Sequence, residues 1–281
     1  MVPTGGGPTA DEVIIRPRRG LVPLDFGELV RYRDLLWFLV RRDVSLRYRQ
    51  TILGAAWAVL QPALSMALFA LIFGRLIGVP SDGVPYPVFV YAGLLPWTYF
   101  SSALAAAGAS LVGSSSLVTK VYFPRLFIPL GSCIAGLLDF LVAAVLLAGL
   151  LAWYGIRPGP SVVLLVPLTA LLLAAAAGCG LWLSALTVEY RDFRYVVTFL
   201  LQLWLFATPV IYPVTVVPER FRWALALNPV GGLIEAFRAA ALGHQAVSAG
   251  RLGVSAAVIG AILLGGLYYF RRVERSFADV I

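Results

Sequence analysis

Charged residues are excluded from long stretches of this chain. Gly83 to Thr119 carries none, and neither does Gly159 to Val188. A water-soluble domain cannot hide such runs, whereas a helix crossing a bilayer requires roughly 20 mostly apolar residues. With 60% hydrophobic and 13% charged residues over 281 positions, the sequence reads as an all-α polytopic membrane protein. Its function lies in what crosses or faces a membrane.

The net charge of +8 would point to nucleic acid in a soluble protein. Here the arginines flank apolar runs and form no basic stripe, so anionic headgroups and the positive-inside rule explain them better, and no nucleic-acid partner is expected. Cys133 and Cys179 sit inside apolar runs as small packing residues, and His244 is the single histidine, so no metal site is expected. The first 25 residues are polar and Gly/Pro-rich, with no apolar core of a cleavable leader.

Three regions follow. Residues 1–25 read as a flexible tail, in which Val13–Ile15 is the candidate for a short docked strand. Residues 26–50 read as an amphipathic helix lying in the membrane interface: Tyr32, Leu36, Val40, Val44 and Tyr48 recur every four residues as one apolar row. The alternative is a solvated cytoplasmic helix. Residues 51–281 carry six expected spans, at 53–78, 88–112, 126–154, 162–187, 195–212 and 252–270. Sixteen Lys and Arg fall on the side of the termini and six on the other, which places both termini in the cytoplasm. Between the fifth and sixth spans, residues 213–250 are too apolar for a plain loop and too broken for a span. Two short helices are expected, at about 215–226 and 229–242, the second capped by Asn228 with Pro229 in its first turn. Such broken backbone is tolerated at membrane depth only beside protein or a cavity, so the segment is expected to dip back into the outer leaflet.

The chain has no Gly-x-x-x-x-Gly-Lys-[Ser/Thr] phosphate loop, no Gly-x-Ser-x-Gly elbow and no His-Glu-x-x-His. It is not expected to be an enzyme or to hold a cofactor. If it performs work, another protein supplies the energy. The loop at 113–126 is where that protein could push: Ser114–Ser116 cap a short helix, Leu117, Val118, Val121, Tyr122 and Phe123 form an apolar knob, and Lys120 and Arg125 stand beside it. The equal alternative is a belt at the lipid surface. Asp139, inside the third span, must face protein or water. The aromatics Trp57, Trp97, Tyr99, Phe100, Trp204 and Tyr212 are candidates for lining a path on which sugar rings slide, since sugar C–H faces stack on aromatic planes. An interfacial belt is the competing reading. Trp57, Trp97 and Tyr99 stand apart because Pro62 and Pro96 are expected to break the nearby helices.

From about residue 30 onward the chain resembles the permease subunit of ABC-2-type polysaccharide exporters (O-antigen, capsule and teichoic-acid export). The resemblance is carried by Ser45–Gly54 with Trp57 and Leu60-Gln61-Pro62; by Gly93–Trp97; by Leu117–Arg125; by Tyr190–Arg194; by Pro209–Pro213; and by Leu227-Asn228-Pro229 with Glu235-Ala236-Phe237-Arg238. It implies a homodimer in the cytoplasmic membrane, joined to two ATP-binding cassette subunits that hold ATP and Mg. It implies a passenger polysaccharide on a polyprenyl pyrophosphate carrier. Ser116, Leu117, Lys120, Val121, Tyr122, Phe123 and Arg125 would then form the coupling helix that seats in the ATPase. Pro213, Asn228, Pro229, Glu235 and Arg238 would belong to the outer gate. Arg41, Arg42, Arg47 and Arg49 would attract the pyrophosphate at the entrance. The rival readings are an ABC-2 permease for a drug or lipid and a membrane enzyme acting on polyprenyl phosphates. Residues 1–25 have no counterpart in the family pattern.

Overall fold

Apolar side chains all round a helix, rather than on one stripe, require burial on every side by protein or lipid. The fold divides its helices between these two fates. A computed structural model describes residues 26–49, 56–120, 123–190, 192–243, 247–274 and Phe277. The tail at 1–25, Gln50 to Ala55, Val121, Tyr122, Arg191 and His244 lie outside the described residues.

The described chain is helical: α1 (Phe26–Arg31), α2 (Arg33–Tyr48), α3 (Ala56–Phe69), α4 (Tyr86–Gly113), α5 (Ser115–Lys120), α6 (Phe127–Trp153), α7 (Leu165–Glu189), α8 (Phe193–Ala207), α9 (Glu219–Leu227), α10 (Pro229–Leu242) and α11 (Ala249–Val273). A run of π-helix, Ala70–Ile77, extends α3 to a left-handed Gly78 at φ 74°. A 3-10 turn, Pro160–Leu164, leads into α7. The prolines expected to break helices do not. Pro62 lies inside α3 and Pro96 inside α4, and both helices continue through them.

Among the described residues five helical stretches are long and apolar enough to cross a membrane: Ala56–Ile77, Tyr86–Gly113, Phe127–Trp153, Pro160–Glu189 and Ala249–Val273. The expected fifth span stops early. α8 has 15 residues, about 22 Å at 1.5 Å per residue, against roughly 30 Å of hydrocarbon. Pro209 ends it, because the residue before a proline is pushed out of the α region, and Thr208 is extended at φ −104°, ψ 139°.

α4 is the hub. Some 78% of its most apolar stretch is buried, against 6% for α3. Small residues allow this close packing. A Cβ on Gly180 of α7 would lie 2.7 Å from the Cβ of Ala107 on α4, and one on Gly178 would lie 2.9 Å from the backbone of Leu263 on α11. Close approach through small side chains is how helices associate where lipid removes the hydrophobic drive. A second apolar cluster gathers at the end where α2, α5 and the tail of α11 meet, with Leu39, Val118, Phe123, Phe127, Phe270 and Phe277 buried together.

The row of α2 expected to face the membrane faces α6 instead. Val40 is buried, Tyr32 and Leu36 pack on the second cluster, and Tyr48 bonds to α6. Trp37, Phe38 and Leu46 are the exposed apolar side chains of α2.

Candidate functional site

Asp139 of α6, a carboxylate within an apolar helix, has two partners on α2. Arg47 Nη1 lies 2.5 Å from its Oδ2, and the Tyr48 hydroxyl donates to its Oδ1. Burial, reinforced by that hydrogen bond, pushes the Tyr48 phenol up to about 12, so it remains a protonated donor at physiological pH. One turn back, Ser132 Oγ donates to Asp43 at 2.7 Å. Asp43 in turn accepts from Arg42 Nε at 3.0 Å, and Arg42 Nη2 reaches Ser114 Oγ at 3.3 Å. α2 is therefore riveted to α6 by two polar joints. Of the four arginines expected at an entrance, Arg42 and Arg47 are engaged in these joints, whereas Arg41 and Arg49 are exposed.

The loop at 113–126 holds the expected short helix, and its described apolar side chains pack inward. Ser115–Lys120 is a helix, and Ser114 accepts the first backbone bonds from Leu117 and Val118. Its apolar side chains turn inward: Val118 is 2% exposed and Phe123 5%. The outward groups are Ser116, Thr119 and Lys120, with Leu117 half-buried. Arg125 donates to the carbonyl of Glu274, and Phe270 and Phe277 pair edge to face at 5.3 Å. Of the expected apolar knob, Val118 and Phe123 are thus buried in the cluster that holds Phe270 and Phe277, because large apolar groups are better buried than wetted.

The expected aromatic lining is also redistributed. Trp97, Tyr99 and Phe100 are buried in the hub. Trp204 of α8 meets Phe100 at 5.2 Å and Trp97 at 6.2 Å, edge to face in both cases, and donates Nε1 to Asn228 at 3.1 Å. Tyr99 donates to the carbonyl of Cys133 at 3.1 Å. Half-buried Tyr212 donates to the carbonyl of Phe206 at 3.0 Å. Trp57 alone of the six is open, at 51%. Sequence reasoning missed Tyr195, Phe199 and Gln202, which form an outward stripe of α8 with Phe206, all exposed. Its signal was the spacing i, i+4, i+7, i+11, which marks one helical face.

At the other end of the molecule Asn228 caps α10, its side chain accepting from the Val230 amide at 3.2 Å, with Pro229 in the first turn. Asn228 Nδ2 also donates to Thr208 at 2.8 Å, tying the end of α8 to α10. Arg238, 7% exposed, lies 3.8 Å over the Phe89 ring and donates to the carbonyls of Phe89, Pro209 and Val210 at 3.2, 3.1 and 2.8 Å. Carbonyls freed where α8 breaks are thereby satisfied by one guanidinium, which a membrane protein demands. Pro213 is buried beside them. Glu235 pairs with Arg251 at 2.6 Å. Burial raises its pKa, and Arg251 opposes the rise. Glu235, Arg251 and Pro209 border a cavity of about 370 Å³ that also involves Asp82, Thr215 and Arg222.

The arrangement offers an exposed aromatic face on α8, a polar junction between α2 and α6, and a braced elbow where α8 ends. Comparison with known proteins gives it a context. The model of the ABC-2 type transporter family matches residues 34–242. The chain is 33% identical over 257 residues to the O-antigen export system permease protein RfbA of Myxococcus xanthus, covering 90% of this chain and 98% of that one. It is 26% identical over 253 residues to the protein of the same name in Klebsiella pneumoniae, covering 88% and 95%. It is 25% identical over 209 residues to the polysialic acid transport protein KpsM of Escherichia coli, covering 73% and 80%.

Proposed function

Because the chain belongs to the ABC-2 type transporter family, we propose that it is the channel-forming subunit of an ATP-driven exporter that moves lipid-linked polysaccharide across the cytoplasmic membrane. Two copies enclose the path, and two ATP-binding cassette subunits, each with ATP and Mg, drive it. The passenger hangs on a polyprenyl pyrophosphate. The observation that carries this reading is the α8 stripe of Tyr195, Phe199, Gln202 and Phe206, exposed on a helix too short to seal itself in lipid. A face of aromatic rings with one amide suits sugar: rings stack on its C–H faces and the amide exchanges hydrogen bonds with its hydroxyls. The largely unburied α3 supplies the opposite wall, with Trp57 on it.

In this reading α8 is the fifth of six crossings, both termini are cytoplasmic, and α1–α2 lie in the inner interface. α9 and α10 form a re-entrant outer gate. Ser116, Thr119 and Lys120 present α5 to the ATPase, while Val118 and Phe123 transmit its push inward to α11. Arg41 and Arg49 attract the carrier's pyrophosphate. The test is display of the glycan on cells whose own copy is deleted. The double substitution Tyr195→Ala with Phe199→Ala should reduce display several-fold at normal chain abundance. Full display with altered drug resistance would favour the drug-permease reading instead.

A further inference from the structure

Arg47 cannot serve an incoming pyrophosphate while it is bound to Asp139. The joint that holds it is exchangeable: the two side chains are 27% and 33% exposed, and the second guanidinium nitrogen makes only a 3.5 Å contact with the Ser132 carbonyl. The neighbouring joint is independent, since Asp43 is held by Ser132 and Arg42. Leu39 packs against Gly131 still farther back. Loss of the Arg47 bond therefore leaves α2 on α6, held by Tyr48 on Asp139 and by these contacts farther back, so the guanidinium can change partner without the helices parting.

We propose that Asp139 is an internal counter-ion that occupies Arg47 until a diphosphate group displaces it, with Tyr48 keeping α2 tied to α6 through the exchange. A diphosphate carries more negative charge than a carboxylate and offers oxygens in the paired geometry that guanidinium prefers, so exchange favours the ligand. Tyr48 stays behind as a donor to Asp139 and offsets the cost of leaving that carboxylate without its cation. The inference rests on the pyrophosphate-linked carrier proposed above.

The test uses the full chain in lipid nanodiscs with geranylgeranyl diphosphate as probe. Geranylgeraniol and inorganic pyrophosphate serve as the lipid-only and headgroup-only arms. Asp139→Asn should tighten diphosphate binding about fivefold or more, and Tyr48→Phe, which leaves the carboxylate leaning on Arg47 alone, should weaken it. In an Arg47→Ala background Asp139→Asn should change nothing. Tightening that persists in that background means a general charge effect and overturns the exchange. So does equal binding by Asp139→Asn, Tyr48→Phe and the native chain. If the native chain and every variant bind geranylgeraniol as well as the diphosphate, the pyrophosphate reading fails and the exchange with it. Inorganic pyrophosphate showing the same ranking would place recognition in the headgroup, and a ranking confined to the lipid would assign the tail a share; both support the exchange.

Discussion

Replacing Arg238 by lysine isolates what its fork of nitrogens does. The charge opposite Glu235 and Asp82 is kept, so charge loss makes no contribution. The guanidinium spreads three hydrogen bonds over two nitrogens, Nε to Phe89 and Nη2 to Pro209 and Val210, while its plane covers the Phe89 ring. A lysine ammonium is one point and cannot reach both the α4 carbonyl and the elbow carbonyls. At least one buried carbonyl is left unpaired, costing about 1–3 kcal/mol, and part of the cation–π contact, about 1 kcal/mol, is lost. The sum is about 2–4 kcal/mol, which for a chain of this size lowers the melting temperature by roughly 3–7 °C. Heating the detergent-solubilised protein and measuring the fraction that survives size-exclusion chromatography reads this directly. A melting temperature within about 1 °C of the native chain would refute the claim that Arg238 braces the elbow.

Gly178→Ala should destabilise by about 1–3 kcal/mol through overpacking against the α11 backbone. Gly149→Ala, where an added Cβ meets nothing within 4 Å, should stabilise by up to about 1 kcal/mol; the same melting assay ranks them. Asn228→Ala removes the cap of α10 and the links to Trp204 and Thr208, so a loss of about 2 kcal/mol is expected, visible also as quenched or shifted Trp204 fluorescence. Glu235 binds its proton more tightly folded than unfolded, so its contribution to stability falls as pH rises from the ordinary carboxylate pKa toward its raised one. Glu235→Gln should flatten that part of the pH–stability curve, and an unchanged slope would exclude Glu235 as its source.

Hydrophobic runs made the spans legible because lipid enforces them residue by residue. The expected 88–112 and 126–154 became Tyr86–Gly113 and Phe127–Trp153. The Asn228-Pro229 start was legible because a cap is local chemistry. What could not be read was which way side chains point once helices pair. Trp97 and Phe100 sit in an apolar run whether they face a polymer or Trp204, and only the pairing of α4 with α8 decides. Asp139 announced a partner without naming it, since Arg47 lies 92 positions away in sequence. The end of α8 was misplaced because Thr208 to Tyr212 stays uncharged after the helix has stopped, and hydropathy does not register a backbone turn.

The brevity of α8 has a consequence for biogenesis. A fifteen-residue segment carrying Gln202 partitions poorly into lipid by itself, so the translocon has little reason to release it sideways. It has to wait for α4 and α7 to stand ready as a receiving groove, with Trp204 as the tooth that engages it. Synthesis order serves this need, because both partner helices leave the ribosome first. Maturation of α8 is therefore the step at which damage to Trp97 or Phe100 would show, as chains that are made, inserted halfway and degraded.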